Sequence, residues 1–314
     1  MQRLLLLAMA LVLCTGPSFA QSSELAPPYT GPGIKLAPGV SAPLGDAQSL
    51  ALLYDNGTIV TGVGNGAGGA NTSALQSASG QTSYGAGHNN AAAVFVADDF
   101  TVPAGGWTIT DFDFFSYQTG GNATTTTITG VFVQIWNGPP GVAGSTVIFG
   151  DRTTNRLASS TFANIYRILD TDPPATTTNR PVWRNKATVN TTLPAGTYWV
   201  EWSSTGSLAS GPWVPPLTAV GTPPAGNARQ EISGAYAPLL DGTTPLDLPF
   251  IVNGTAGTPT GPQLSATPSS VAFGQVAVGT TSTPRTVTLT NNGTAATTIT
   301  SITGSGAPFT VNTT

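Results

Sequence analysis

Acidic side chains carry most of the chemistry this chain has to offer. Asp111 and Asp113 alternate within 107–117, so on an extended strand both carboxylates project from one face while Phe112 and Phe114 take the other. Paired carboxylates are the equipment of glycoside hydrolysis, one protonating the leaving oxygen and the other activating water or attacking the sugar. Together with Asp98 and Asp99, the pair would also supply the oxygen ligands of a calcium ion. The plainer reading is a solvated sheet face opposite an apolar core, and the residues favour it over both chemistries. Asp170-Thr171-Asp172 begins like a calcium loop, but Pro173-Pro174 follows and Pro181 stands where the closing glutamate belongs, so a turn is the better reading. The single histidine, His88, lies in Gly85-Ala86-Gly87-His88-Asn89-Asn90. A zinc site or a Ser-His-Asp triad would need it, but there is no second histidine and no Gly-x-Ser-x-Gly elbow. It is expected on a loop, exposed to solvent.

Aromatic rings are the other resource. Trp107, Trp136, Trp183, Trp199, Trp202 and Trp213 all fall within 47–254. Such rings stack on sugars, but they also dominate β-sandwich cores, where most of these are expected. In Tyr198-Trp199-Val200-Glu201-Trp202, alternation places Tyr198, Val200 and Trp202 on one face and Trp199 with Glu201 on the other. Trp199 beside Glu201 is therefore the candidate ligand-binding pair. The turn Leu193-Pro194-Ala195-Gly196-Thr197-Tyr198 resembles the entry to a late sandwich strand, with Tyr198 as a corner residue.

These residues must be positioned by strands, because helical periodicity is nearly absent. Strands are expected at 51–54 and 58–61, joined by a tight hairpin at Asp55-Asn56-Gly57. A long loop is expected over 62–90, rich in Gly, Ala, Asn and Ser. Further strands are expected at 93–100, 107–117, 124–136, 146–149, 165–169, 182–192, 197–203 and 250–253, with turn residues between them. That spacing predicts an all-β protein whose first domain, 47–254, is a jelly-roll-like β-sandwich.

Composition bounds what such a domain does. Met1-Gln2-Arg3, the apolar run 4–14 and Ser18-Phe19-Ala20 read as an export signal over 1–20, cleaved to leave Gln21 as the N-terminus. The apolar run is too short to cross a bilayer as a helix, and Leu13 precedes Cys14 where lipidation would want a small residue. The chain's one cysteine leaves with the signal, so no internal disulfide forms. With 10 basic and 14 acidic residues and no basic cluster, nucleic acid is a poor partner. Residues 21–46, rich in Pro, Gly and Ser, read as a flexible lead-in, and 255–263 as a linker.

From Leu264 the pattern changes. Phe273-Gly274, Val278-Gly279, Val287, Leu289, Asn291-Asn292-Gly293 and Ile302 resemble the immunoglobulin-like module of bacterial choice-of-anchor D proteins, related to the ASH modules of abnormal-spindle and hydin-type proteins. The resemblance covers 264–314, about half of such a domain. It implies a partial immunoglobulin-like sandwich, with Asn291-Asn292-Gly293 turning a hairpin between strands near 287–289 and 297–302, and a structural or interaction role without catalytic residues. Residues 47–254 resemble N-terminal regions of secreted bacterial proteins whose function is not established, a resemblance that attaches no particular activity to them.

The expectation is a secreted bacterial protein, extracellular or on the cell surface, with the periplasm as the other compartment. It is read as non-catalytic, with a structural, adhesive or interaction role and a protein or polysaccharide partner. The alternatives are a carbohydrate-binding module and an acid-dependent glycoside hydrolase. No cofactor is implied apart from Ca2+ at Asp98, Asp99, Asp111 and Asp113.

Overall fold

A computed structural model describes residues 22–25, 52–218, 220–221, 226–258, 261–262 and 264–302. The expected signal at 1–20, Cys14 and most of the lead-in lie outside the described residues. The described chain is almost entirely β. In order, the strands are β1 (Ser23–Leu25), β2 (Leu52–Asp55), β3 (Asn71–Leu75), β4 (Ser83–Gly87), β5 (Val94–Val102), β6 (Trp107–Ser116), β7 (Ile128–Trp136), β8 (Val147–Asp151) and β9 (Leu157–Leu169). They continue with β10 (Pro181–Leu193), β11 (Gly196–Gly206), β12 (Trp213–Val214), β13 (Arg229–Ile232), β14 (Ala235–Pro238), β15 (Leu240–Asp241), β16 (Thr244–Pro245), β17 (Phe250–Ala256), β18 (Leu264–Thr267) and β19 (Thr288–Asn291). No helix of the described residues is long and apolar enough to cross a membrane.

Two six-stranded sheets make the body. The first runs β2-β17-β6-β10-β9-β3 and the second β14-β13-β5-β11-β7-β8. They bury a common core, in which Phe112 and Phe114 of β6 and Phe250 of β17 meet Phe100 of β5 and Trp202 of β11. The Phe114 and Trp202 rings stack with centroids 4.8 Å apart. Each such side chain contributes roughly 1.5–3 kcal/mol of burial free energy, which is how a chain without disulfides holds together. Alternation along β11 works as its sequence requires: Tyr198, Val200 and Trp202 face this core. The Tyr198 hydroxyl donates to the Pro194 carbonyl at 3.0 Å, forming the expected corner.

A third sheet, β1-β4-β12, brings Ala86 and Val214 to the main core and Tyr84 to a second core with Phe115, Tyr117 and Ile251. Here the expected long loop is corrected. Residues 62–90 contain β3, which pairs parallel with β9, and β4. Small residues are there because elements approach closely. A Cβ on Gly85 would stand 2.8 Å from the Tyr117 hydroxyl. Side-chain oxygens satisfy the buried backbone: Thr61 accepts from the Ala74 amide at 2.8 Å. The Asn56-Gly57 hairpin is also corrected, since β2 pairs with β17 and no strand forms at 58–61. Gly57 still takes a positive φ of 118°, but Asn56 is drawn inward, accepting from the Tyr54 hydroxyl at 2.7 Å and donating to the Leu248 carbonyl at 2.9 Å.

Two further expectations change. Residues 23–25 of the lead-in are not loose chain but a strand docked on β4. In the C-terminal module, β19 pairs with β18 across a long connection, not with 297–302. Asn291 holds a local turn instead, accepting from the Gly293 amide at 3.1 Å. Leu264, Val276, Val278, Val287, Leu289 and Ile299 are all exposed, so the alternation of Val287 and Leu289 buries neither.

Candidate functional site

The four aspartates proposed for calcium do not converge. Asp98 and Asp99 sit on β5 of the second sheet, and Asp111 and Asp113 on β6 of the first. Phe112 and Phe114 occupy the core face of β6, which leaves the two aspartates on the opposite side of that sheet. There they join a cross-strand polar ladder. Asn253 of β17 donates to both, at 2.7 Å each. On the other flank, Lys186 of β10 pairs with Asp111 and Arg184 with Asp113, both at 2.8 Å. Such rows contribute roughly 0.2–1 kcal/mol per opposed pair. The solvated-face reading suits Asp111, but Asp113 is fully buried under its partners. Among the described residues, no group of three metal-ligating side chains comes together.

Asp98 is the surprise of β5. It lies between Val96 and Phe100 on the core face and accepts from the Leu248 amide at 2.7 Å and Asn56 Nδ2 at 3.1 Å. Burial, then the neighbouring Asp247 carboxyl, push its pKa well up, and burial raises Asp247 too. The two carboxyls act on each other directly, so they titrate as a pair. Asp99 points outward and accepts from Asn227 at 2.7 Å. Folded pKa values above the unfolded ones mean that this pair's contribution is fully present in acid and lost as pH rises through the raised values. Asp247→Asn, whose amide donates to Asp98 without needing a proton, is therefore expected to stabilise the fold at pH 8 by on the order of 1 kcal/mol, the scale of one net hydrogen bond. Urea unfolding at pH 8 and pH 4 checks this: the gain should vanish at pH 4.

His88 is not an exposed loop residue. Its ring is completely buried, and neither nitrogen has a hydrogen-bond partner among the described residues. The neighbouring glycines, which suggested a loop, allow close packing there. The backbone holds it from both sides, accepting from the Ser204 amide at 2.7 Å and donating to the Pro212 carbonyl at 3.2 Å. Burial pushes the imidazole down to about 4. Asp170 and Asp172 do form a turn, in which Asp170 accepts from Ser77 at 2.6 Å.

The residues that do converge lie on the outer face of the second sheet. Register places Glu201 opposite Gln134 and Trp199 opposite Trp136, so these four share that face. Across β5, Glu231 of β13 stands opposite Phe95, and Tyr236 of β14 opposite Glu231. Arg152, just beyond β8, reaches back over the Phe95 ring, its guanidinium carbon 3.7 Å from the centroid. It clamps Glu201 with two bonds, Nε to Oε1 at 2.7 Å and Nη2 to Oε2 at 2.9 Å. It also pairs with Glu231, and Nη2 reaches the Tyr236 hydroxyl at 3.3 Å. Trp136 Nε1 donates to Glu201 at 3.1 Å, and the Tyr236 hydroxyl donates to the same carboxylate. Burial works against the Arg152 charge, but the bonds from Glu201 and Glu231 outweigh it and raise its pKa. Burial and the Glu201 charge raise the Tyr236 phenol, so it stays a donor.

Above this network lies a depression of about 480 Å³ lined by Gln134, Trp136, Val142, Arg152, Glu231 and Tyr236 among others. The Trp136 and Tyr236 rings stand 6.3 Å apart and nearly perpendicular, at 79°. The candidate pair is thus half corrected. Glu201 belongs to the site, but as a buried support beneath it. Trp199 is only 6 % exposed and contributes no open ring. Its cross-strand neighbour Trp136 takes that place. Trp136 was readable as the last residue of a strand before the Asn137-Gly138-Pro139-Pro140 turn. Arg152 and Tyr236 carry no such signal, because only the sheet order brings them together.

No family model, curated protein or solved structure matches the chain.

Proposed function

We propose that this chain is an exported, non-catalytic binding protein and that the outer face of its second sheet holds a carbohydrate. The observation that carries the reading is the perpendicular Trp136–Tyr236 pair beside a polar floor built on Arg152. A sugar has an apolar C–H face that packs on an aromatic ring and hydroxyls that want fixed donors and acceptors. Gln134 supplies both kinds of polar group, Glu231 supplies acceptors, and Arg152 supplies N–H donors. The ion network keeps these groups in place before the ligand arrives, which lowers the ordering cost of binding.

The same geometry favours binding over hydrolysis. Both Glu201 oxygens accept from Arg152, and Trp136 and Tyr236 occupy further lone pairs. A carboxyl engaged in this way has no oxygen free to aim at a glycosidic bond. The choice-of-anchor D resemblance at 264–314 supports a second, non-catalytic module outside the cell.

Titration of the protein with a panel of soluble polysaccharides, followed by tryptophan fluorescence and calorimetry, tests the reading. At least one glycan is expected to bind without release of reducing ends. Trp136→Ala is expected to weaken that binding tenfold or more, equivalent to about 1.4 kcal/mol. Binding unchanged in Trp136→Ala, or absent across the panel, overturns it.

A further inference from the structure

The short strand β1 occupies what has the construction of a ligand site. It adds antiparallel to β4, with Ser23 opposite Ala86 and Glu24 opposite Gly85. Just before it, Gln230 reads both backbone groups of Ser22: its Oε1 accepts from the Ser22 amide at 3.1 Å and its Nε2 donates to the Ser22 carbonyl at 2.7 Å. The Gly87 amide donates to that same carbonyl at 2.7 Å. A Cβ on Gly87 would overlap the Ser22 side chain, so the acceptor strand needs glycine there.

The Glu24 side chain then enters a socket made by three donors on different elements. The Tyr117 hydroxyl donates at 2.7 Å, Thr119 Oγ1 at 2.6 Å and Arg180 Nε at 2.9 Å. The Arg180 guanidinium is itself braced over the Tyr84 ring, 3.8 Å from its centroid. Arg167 is fully buried, and among the described residues its side chain donates to neutral oxygens of Ser73, Ser83 and Tyr84. Burial lowers Arg167 to about 10, and Glu24 is among the charges that oppose this. The socket is thus cationic before any ligand enters, and Glu24 supplies the missing charge.

We propose that the β4 edge and the Arg180–Tyr117–Thr119 socket form a strand-acceptor site for an extended acidic peptide, filled by this chain's own residues 22–25 and open to the same segment from a second copy. Main-chain bonds to a sheet edge give affinity, and a pocket for one side chain gives specificity, as in other strand-addition sites. Twenty-six residues separate Leu25 from Leu52. That length spans up to about 90 Å when extended, so the segment of one copy can reach the groove of another. Such an exchange would join two copies without any new contact.

The test uses the full chain with Glu24→Ala, which weakens the resident strand, and a labelled peptide Gln-Ser-Ser-Glu-Leu-Ala-Pro-Pro copied from residues 21–28. Fluorescence polarisation is expected to show the peptide binding this variant at least tenfold more tightly than the wild-type chain, where the resident segment competes. The same peptide with alanine for glutamate is expected to bind at least tenfold more weakly, and Gly87→Ala added to the variant is expected to abolish binding. Equal binding of the two peptides, or none, overturns the proposal. So does a Glu24→Ala chain that fails to fold, since the strand would then be integral and not exchangeable.

Discussion

Arg152→Met is expected to cost about 3 kcal/mol of stability at pH 7, the scale for removing one partner of a buried ion pair. The side chain left behind covers the Phe95 ring much as Arg152 does, so lost packing is a minor part. The cost comes from Glu201, almost completely buried, and from Glu231 beside it. Without the guanidinium, two carboxylates stand close together away from water, and each has lost its cationic partner. Because the penalty is one of negative charge, acid relieves it. The deficit relative to wild type is expected to shrink between pH 7 and pH 4.5, whereas a packing defect would keep the same size. Urea unfolding at the two pH values separates these outcomes. Adding Glu201→Gln is expected to restore part of the loss at pH 7, because one of the abandoned charges is gone. The same variant should lose glycan binding, since Trp136 and Tyr236 are both held through Glu201.

The parts of the fold that were legible share one property: a strand with one face in the apolar core. In β6, β10 and β11 the alternation of large apolar and polar residues marks both the element and its inward face. β3 and β4 escape a sequence reading because most of their residues are small, and close approach to Thr61 and Tyr117 adds to the burial of Leu75 and Tyr84 as the source of order. Trp199 shows a second limit. Alternation correctly put it opposite Tyr198 and Val200, but a face that points away from the main core is not thereby open. Asp98 fails in the reverse sense, as a carboxylate placed on the core face because Asn56, Leu248 and Asp247 wait there for it. Arg152, Glu231 and Tyr236 are separated by long stretches of chain, so the site they form follows from the order β14-β13-β5-β11-β7-β8 and from nothing local. Val287 and Leu289 show that alternation needs a partner sheet to become burial.

Acid is expected to cost this protein stability at His88, whose buried ring resists taking up a proton. The imidazole drops from an ordinary value of 6.5 to about 4 because burial strips the charged form of its water. Above pH 6.5 the ring is neutral in both the folded and the unfolded chain, and its contribution is fully present. As pH falls, the unfolded chain takes up a proton that the folded chain refuses, so stability is lost down to about pH 4. The slope is roughly 1.4 kcal/mol per pH unit, which amounts to about 2 kcal/mol between pH 6.5 and pH 5. The raised Asp98–Asp247 pair acts with the opposite sign as pH falls, so the difference between wild type and a His88 variant, not the wild-type loss alone, isolates the histidine. His88→Leu replaces the ring with an apolar side chain and leaves no buried nitrogen without a partner. It is expected to be at least as stable as wild type at pH 7 and to lose less than 0.5 kcal/mol by pH 5, within the usual noise of additive effects. Urea unfolding of both proteins at pH 7, 6 and 5 gives the comparison. Parallel curves would mean that the ring is already solvated in the folded protein, and the acid sensitivity would then have to come from the carboxylates.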